Sequence, residues 1–397
     1  MKALAAGAAG THTRIFTMHR LHREQAARLL DSLALDGALL ASPASVTWLT
    51  GYTAPVQVGP SVFAGGPPLL WFERGRWTLI VFAWQAPPAA DYAADGDITI
   101  LPYPGYRTDG PLAGGAAYLE ALEGVLAQAP ATGRVGIEQS VVPASVADRL
   151  RSRFGHTLTP VDDLLRPLRL VKSAEELVKL RANFALGEHG FAAARRAVVN
   201  GATEIDVWNA AKSAVEKAAG GRVAMGNDCI VGTRQANDGG WPGALPIRSQ
   251  DSVIVDLSVI VNGYWSDGCI TCVAGEPTAT QRTLHKIVGE ALEIGRNLLR
   301  PGAVAGDIDR AMRRHIEQAG HTPYWHHGGH GIGVVGHESP RILHYNAETL
   351  AANMVIMLEP GIYLPGETGV RLEDGYLITA DGYEQLTHHD KSLTPEA

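Results

Sequence analysis

Apolar and polar positions follow two rhythms along the 397-residue chain. Between 21 and 36, Leu21, Ala26, Leu29, Leu30 and Leu33 recur at helical spacing and predict an amphipathic helix. A short apolar run at 37–41 predicts a buried strand, and a further apolar stretch covers 45–51. Strands at 69–72 and 77–82 flank a Glu-Arg-Gly-Arg turn, followed by strands at 98–101 and 134–138 and helices at 118–127 and 143–154. This mixed α/β segment carries no catalytic constellation, so its expected duty is structural or oligomeric. The stretch 159–170 reads as a connection. Ser173-Ala-Glu-Glu176 is then a capping box opening a long helix, and 203–219 predicts another, ended by Gly220 and Gly221. Helices at 278–299 and 308–319 stop at Pro301-Gly302 and at Gly320.

Between these helix pairs, a β-branched run over 252–261 reaches Asn262-Gly263 and then resumes. Asn-Gly favours a two-residue hairpin turn, because both central residues need positive φ. That turn pairs Val261 with Tyr264 and Ser258 with Asp267, which puts Asp256 on the same sheet face as Asp267. The two backbone positions are then diagonal neighbours, about 7–8 Å apart. A lone Asp in an apolar strand is costly unless it is paired or metal-bound. Acceptance of backbone hydrogen bonds at a sheet edge is the blander account of Asp256.

Composition narrows the function classes. The chain is 46% hydrophobic and 19% charged, with net charge −7, which describes a globular protein and argues against a nucleic-acid partner. No apolar run is long enough to cross a bilayer. The Ala/Gly-rich start, 1–10, is too short in its apolar part for a signal peptide and reads as a frayed terminus. Three cysteines, Cys229, Cys269 and Cys272, argue against a disulfide framework and for a cytoplasmic location. Cys269 and Cys272 form a C-x-x-C on one strand, where positions three apart face opposite sides and so do not share a metal.

Chemistry becomes dense toward the C-terminus. His326, His327, His330 and His337 lie among the glycines of 324–340, and glycine lets backbone approach a ligand closely. Glu359 ends an apolar strand at 355–358, and Arg371 and Glu373 share a face of the next strand. Taken singly, these acids read as surface salt bridges. Together, Asp256, Asp267, His330, Glu359 and Glu373 form an oxygen-rich set with one imidazole. Its four negative charges balance two divalent cations, with Mn²⁺ the first expectation and Co²⁺ or Zn²⁺ compatible.

The Asp256–Asp267 spacing, Gly-His330-Gly-Ile-Gly with His337 seven positions on, Glu359-Pro-Gly and Val-Arg371-Leu-Glu373-Asp resemble the pita-bread metallopeptidases: methionine aminopeptidase, aminopeptidase P, prolidase and the metal-free creatinase. The resemblance implies an α/β (α+β) chain with a creatinase-type N-terminal α/β domain over 16–165 and a pita-bread catalytic domain over 170–392. It implies that Asp256 chelates one metal, that Asp267 and Glu373 bridge both, and that His330 and Glu359 complete the second site. Glu359 would also accept the proton of the attacking water. His326 and His337 would contact substrate and stabilise the tetrahedral intermediate, and Arg371 would orient Glu373 or meet a substrate carboxylate. Two departures stand out. Relatives carry a pocket histidine before the first aspartate, where this chain reads Ala236-Asn-Asp-Gly-Gly240, and a threonine where this chain has Cys269.

The two-domain length and the Arg371 pattern favour proline-directed members, hence a prolidase: a dinuclear enzyme hydrolysing Xaa-Pro dipeptides through a metal-bridging hydroxide. Release of the first residue from longer Xaa-Pro peptides is the alternative within the family, and a binding relative that has lost catalysis is the alternative outside it. The expected partners are proline-containing peptides and a second copy of the chain, joined through the first domain. Gly331-Ile-Gly333-Val-Val-Gly336 matches the dinucleotide fingerprint literally, but neither a preceding apolar strand nor a following helix is predicted around it.

Overall fold

The computed structural model describes residues 8–54, 63–92, 95–105, 108–129, 133–155, 158–226, 228–235 and 240–394. Of the stretches singled out above, 1–7 and 236–239 lie outside them. The chain divides into two compact units, Met1–Leu168 and Arg169–Ala397. No helix among the described residues is long and apolar enough to cross a membrane.

The first unit is built on a six-stranded mixed sheet. Its spatial order is Ile98–Tyr103, Arg76–Phe82, Leu69–Glu73, Gly37–Leu40, Val135–Ile137, Leu158–Pro160. The turn between the second and third of these positions uses Arg74 and Gly75 at φ 49° and 75°, as a tight hairpin requires. Helices Gly114–Leu126 and Ala144–Phe154 cover one face, packing Tyr118, Leu122, Leu126, Val146 and Leu150 on Leu39, Trp71 and Ile80.

Two local readings change in this unit. The 45–51 stretch lies in a helix, Pro43–Thr50: Ser42 caps it by accepting from the Ser45 amide, Pro43 opens its first turn, and Gly51 closes it at φ 72°. The first helix runs from Ala8 to Ser32; Leu21 is exposed on it and Leu33 is exposed just past its end. Its buried face is Met18, His22, Arg23, Ala26 and Leu30. Arg23 is fully enclosed, donating to Asp95 at 2.6 Å and to Asp97 at 2.8 and 2.9 Å. A paired cation thus occupies a core position that a hydrophobic pattern cannot announce.

The second unit repeats one plan twice. Helices Ala174–Ala197 and Glu204–Ala219 precede one strand pair, and Ala279–Asn297 and Ala305–Gln318 precede another. Capping boxes at Ser173/Glu176, Thr203/Asp206 and Thr278/Gln281 start three of these helices. In the first pair Asn262 and Gly263 make the predicted turn, with φ 52° and 73° and Val261 opposite Tyr264. The pairing is interrupted around Leu257 and Asp267–Gly268, yet it resumes in the same register, Asp256 opposite Cys269. A 2.9 Å hydrogen bond from the Leu257 amide to the Gly268 carbonyl carries the register across the gap.

The second pair behaves alike. Gly361 faces Arg371, Leu358 faces Asp374, and the interruption falls at Glu359–Pro360 and Leu372–Glu373. The unchanged register sets Glu359 opposite Glu373. The two pairs join where Cys269 bridges Glu373, whose amide donates to the Cys269 carbonyl at 3.0 Å. Asp256, Cys269 and Glu373 therefore stand in one row across three strands.

Removing the Ser173 hydroxyl takes away the reciprocal cap of the 24-residue helix Ala174–Ala197. We expect Ser173→Ala to lower the unfolding free energy by about 1 kcal/mol, measured as a lower urea midpoint with an unchanged m-value.

Candidate metal centre

The strand interruptions explain how the acids converge. Asp267, Glu359 and Glu373 lie at the interruptions, and Asp256 ends the adjoining strand opposite Cys269. Asp256, Asp267 and Glu373 bring carboxylate oxygens within 4.8 Å of one another, and so do His330, Glu359 and Glu373 with their ligand atoms. All five residues predicted as metal ligands thus occupy one buried cluster.

His330 reaches this cluster on the short strand Gly329–Gly331, squeezed between two others. A side chain at Gly329 would place its Cβ 2.0 Å from the Met357 carbonyl, and φ there is 155°. Only glycine fits. The His330 Nδ1 donates to the Gly331 carbonyl at 2.9 Å, which leaves the Nε2 lone pair facing the acids. Nε2 is buried with no hydrogen-bond partner. It lies 3.7 Å from Glu359 Oε1, 3.7 Å from Glu373 Oε1 and 3.9 Å from Asp267 Oδ2. Ligands each about 2.0–2.2 Å from a shared divalent ion stand roughly 3–4 Å apart. The donor set and its spacing fit such an ion.

Electrostatics agrees. Burial, reinforced by neighbouring carboxylates, pushes Asp267 and Glu373 well above the ordinary carboxylate range. Burial would raise Glu359 as well, but His327, His326 and His330 outweigh it and hold that carboxyl below its usual value. Burial lowers His326 to about 4, His330 to about 3 and His337 to about 4.

The remaining predicted residues are placed as follows. His337 is exposed, its ring centroid 4.1 Å from that of His330. Both nitrogens of His326 are engaged within the protein: Nδ1 with the His327 carbonyl at 2.7 Å and Nε2 with the Tyr363 hydroxyl at 2.8 Å. Arg371 does not turn toward Glu373. Its Nε donates to Asp256 Oδ2 at 3.1 Å, with Nη2 2.9 Å from the same oxygen, and it donates to Asp228 and to Tyr363, each at 3.1 Å. Its geometry is that of a residue positioning Asp256. The G-x-G-x-x-G run leads into strand Glu338–Ile342, not into a helix. The three cysteines are free and buried, with Cys269 and Cys272 in separate core clusters, as their spacing implied.

Several participants were not selected from sequence. His327 Nδ1 lies 2.8 Å from Glu359 Oε1, although out of line for a hydrogen bond. Tyr363 links His326 to Arg371, and Asp228 ties Arg371 to the Gly240 amide. A count of histidines near His330 could have found His327; nothing local marks Tyr363 or Asp228.

The model of metallopeptidase family M24 matches residues 179–380, and that of the creatinase/prolidase N-terminal domain matches residues 22–171. The chain belongs to metallopeptidase family M24. An uncharacterized peptidase of Staphylococcus aureus (strain USA300) is 34% identical over 365 residues, covering 91% of this chain and 97% of that protein. Among solved structures, the prolidase from Pyrococcus horikoshii OT3 superposes with TM-score 0.77 at 24% identity, over 94% of this chain and 99% of that one. The X-Pro aminopeptidase from Thermotoga maritima MSB8 gives 0.76 at 23%, over 94% and 99%. This M24 chain is therefore a metallopeptidase with the pita-bread fold, preceded by a creatinase-type N-terminal domain. The fold is common to dipeptidase and aminopeptidase alike.

A centre of this kind gains stability from its cation. Adding Mn²⁺ to about a hundred times its Kd should raise the unfolding free energy by about 2.7 kcal/mol. In thermal melts a chelator should reverse the shift, and Asp267→Asn should abolish it.

Proposed function

We propose that this M24 metallopeptidase is a dinuclear Xaa-Pro dipeptidase. The observation that carries the reading is the convergence of Asp256, Asp267, His330, Glu359 and Glu373 around an unpartnered, buried His330 Nε2. Asp256 would hold one cation, Asp267 and Glu373 would be shared between two, and His330 and Glu359 would complete the second site. Two bound cations would lower the pKa of a shared water and polarise the carbonyl that precedes proline. Manganese suits an oxygen-dominated donor set.

The protein's own groups do the rest. Glu359, at the strand interruption, accepts the proton of the attacking water. His337, exposed beside His330, faces the open side and donates to the oxygen on which negative charge develops. His326 shapes the substrate wall together with Tyr363 and the exposed Trp325, whose ring stands edge-on to His326 at 5.2 Å. Arg371 keeps Asp256 aimed at the cluster.

Proline specificity is supported by the creatinase/prolidase N-terminal domain and by the prolidase and X-Pro aminopeptidase folds named above. The working boundaries are 16–165 for the first domain and 170–392 for the catalytic one. A cytoplasmic location accords with three reduced, buried cysteines. A homodimer is the commonest closed state for such enzymes.

The deciding assay compares an Xaa-Pro dipeptide with the same peptide extended by one residue. Higher kcat/KM for the dipeptide is expected; preference for the longer peptide would make the protein an aminopeptidase P. Asp267→Ala and Glu373→Ala should each abolish turnover while circular dichroism remains that of the parent. Substantial residual activity in either would remove them from the bridging role.

A further inference from the structure

Outside the cluster, the least explained buried group is His389. Its side chain is 1% exposed, and neither ring nitrogen has a hydrogen-bond partner. It belongs to a strap, 387–394, that bonds to Val273 and to Asp374, on strands of both pairs. The strap is anchored along its length. Arg195 donates to the carbonyls of Asp390, Ser392 and Thr394, the Val273 amide donates to the Leu393 carbonyl at 2.7 Å, and the His388 amide donates to Glu188 at 2.7 Å.

What the strap touches is specific. Thr387 and Lys391 both donate to Asp374 Oδ1, at 2.7 and 2.8 Å, and Asp374 directly follows Glu373. The His389 ring lies against Phe191, tilted by 37° with centroids 4.2 Å apart, and fills the space beside Gly268, which directly follows Asp267. A Cβ at Gly268 would lie 3.1 Å from His389 Cε1 and 3.1 Å from Phe191 Cζ. The ring nitrogens face Glu188 Oε1 at 3.7 Å and Asp374 Oδ1 at 3.8 Å, beyond hydrogen-bond length but close enough for a polar ring and two carboxylates to orient one another. One side chain thus braces the chain neighbours of both carboxylates assigned to bridge the metals.

We propose that His389 is a positioning residue for Asp267 and Glu373, holding the backbone at Gly268 and the side chain of Asp374 so that both bridging carboxylates keep the spacing a divalent cation needs. The inference rests on the metal-centre reading above. Groups behind metal ligands commonly tune affinity about 10- to 100-fold, and His389 acts on two ligands at once.

The test is calorimetric titration of Mn²⁺ into the intact, metal-stripped protein. His389→Phe keeps an aromatic ring against Phe191 and Gly268 but removes the nitrogens. Its Kd for Mn²⁺ should rise about tenfold or more, while its metal-free melting curve stays close to the parent's. His389→Gln, which restores a polar end, should recover part of that loss. A Kd for His389→Phe within about twofold of the parent overturns the proposal. Should that variant not fold, Lys391→Met probes the strap from its partly exposed edge: a weaker loss of the same sign supports the proposal, and unchanged affinity overturns it. A parent protein that takes up no Mn²⁺ overturns the metal-centre reading itself, an outcome distinct from any difference between variants.

Discussion

Mutual repulsion among buried carboxylates governs the design of the catalytic unit. At 4 Å, two like charges in a protein environment of effective dielectric near 20 oppose one another by about 4 kcal/mol. Oxygens of Asp256, Asp267 and Glu373 lie within 4.8 Å of one another, as do those of Glu359 and Glu373, each residue under a tenth exposed. Left to themselves, such groups would keep protons or swing toward solvent. The direction of the shifts at Asp267 and Glu373 expresses that tendency, and a divalent cation removes it. The surroundings must therefore prevent relaxation while the centre is being filled.

Register is the first means. Both strand pairs lose regular pairing at or beside the acids, around Asp267 in one and at Glu359 and Glu373 in the other, and resume without a slip. A shift of one residue would turn every carboxylate to the opposite face. Pro360, which has no amide hydrogen to offer the ladder, sits inside one interruption, and Gly268 inside the other. Each gap gives the side chains room to lean together while the flanking pairs fix where they start.

Legibility from sequence followed the range of the interactions involved. The Asn262-Gly263 turn, the capping box at Ser173 and the glycine stops are decided within a few residues, and they could be read directly. Convergence of Asp256 on Asp267 needed only a period of two and a turn. Joining that pair to His330, Glu359 and Glu373 required the family resemblance, because more than a hundred positions separate the first of these residues from the last. The partners of Arg371 were beyond reach. Asp256, Asp228 and Tyr363 come from three segments, and the resemblance pointed to Glu373 or a substrate carboxylate instead. The buried face of helix Ala8–Ser32 escaped for a related reason, since Arg23 is enclosed where Asp95 and Asp97 meet it.

Cys269 sharpens the question of where the support comes from. It stands in the row between Asp256 and Glu373, fully buried, with its thiol directed to the Arg371 carbonyl at 3.6 Å. Burial keeps that thiol protonated, and a thiol is a weak donor. A hydroxyl at this position could hold a neighbouring carboxylate; the thiol chiefly fills volume. Orientation of the acids must then come from outside the row. On one side Arg371 grips Asp256 and is itself gripped by Asp228 and Tyr363. On the other, the C-terminal strap holds Asp374 through Thr387 and Lys391. The row of strands supplies the spacing of the carboxylates, and charged or polar groups drawn from distant segments supply their aim.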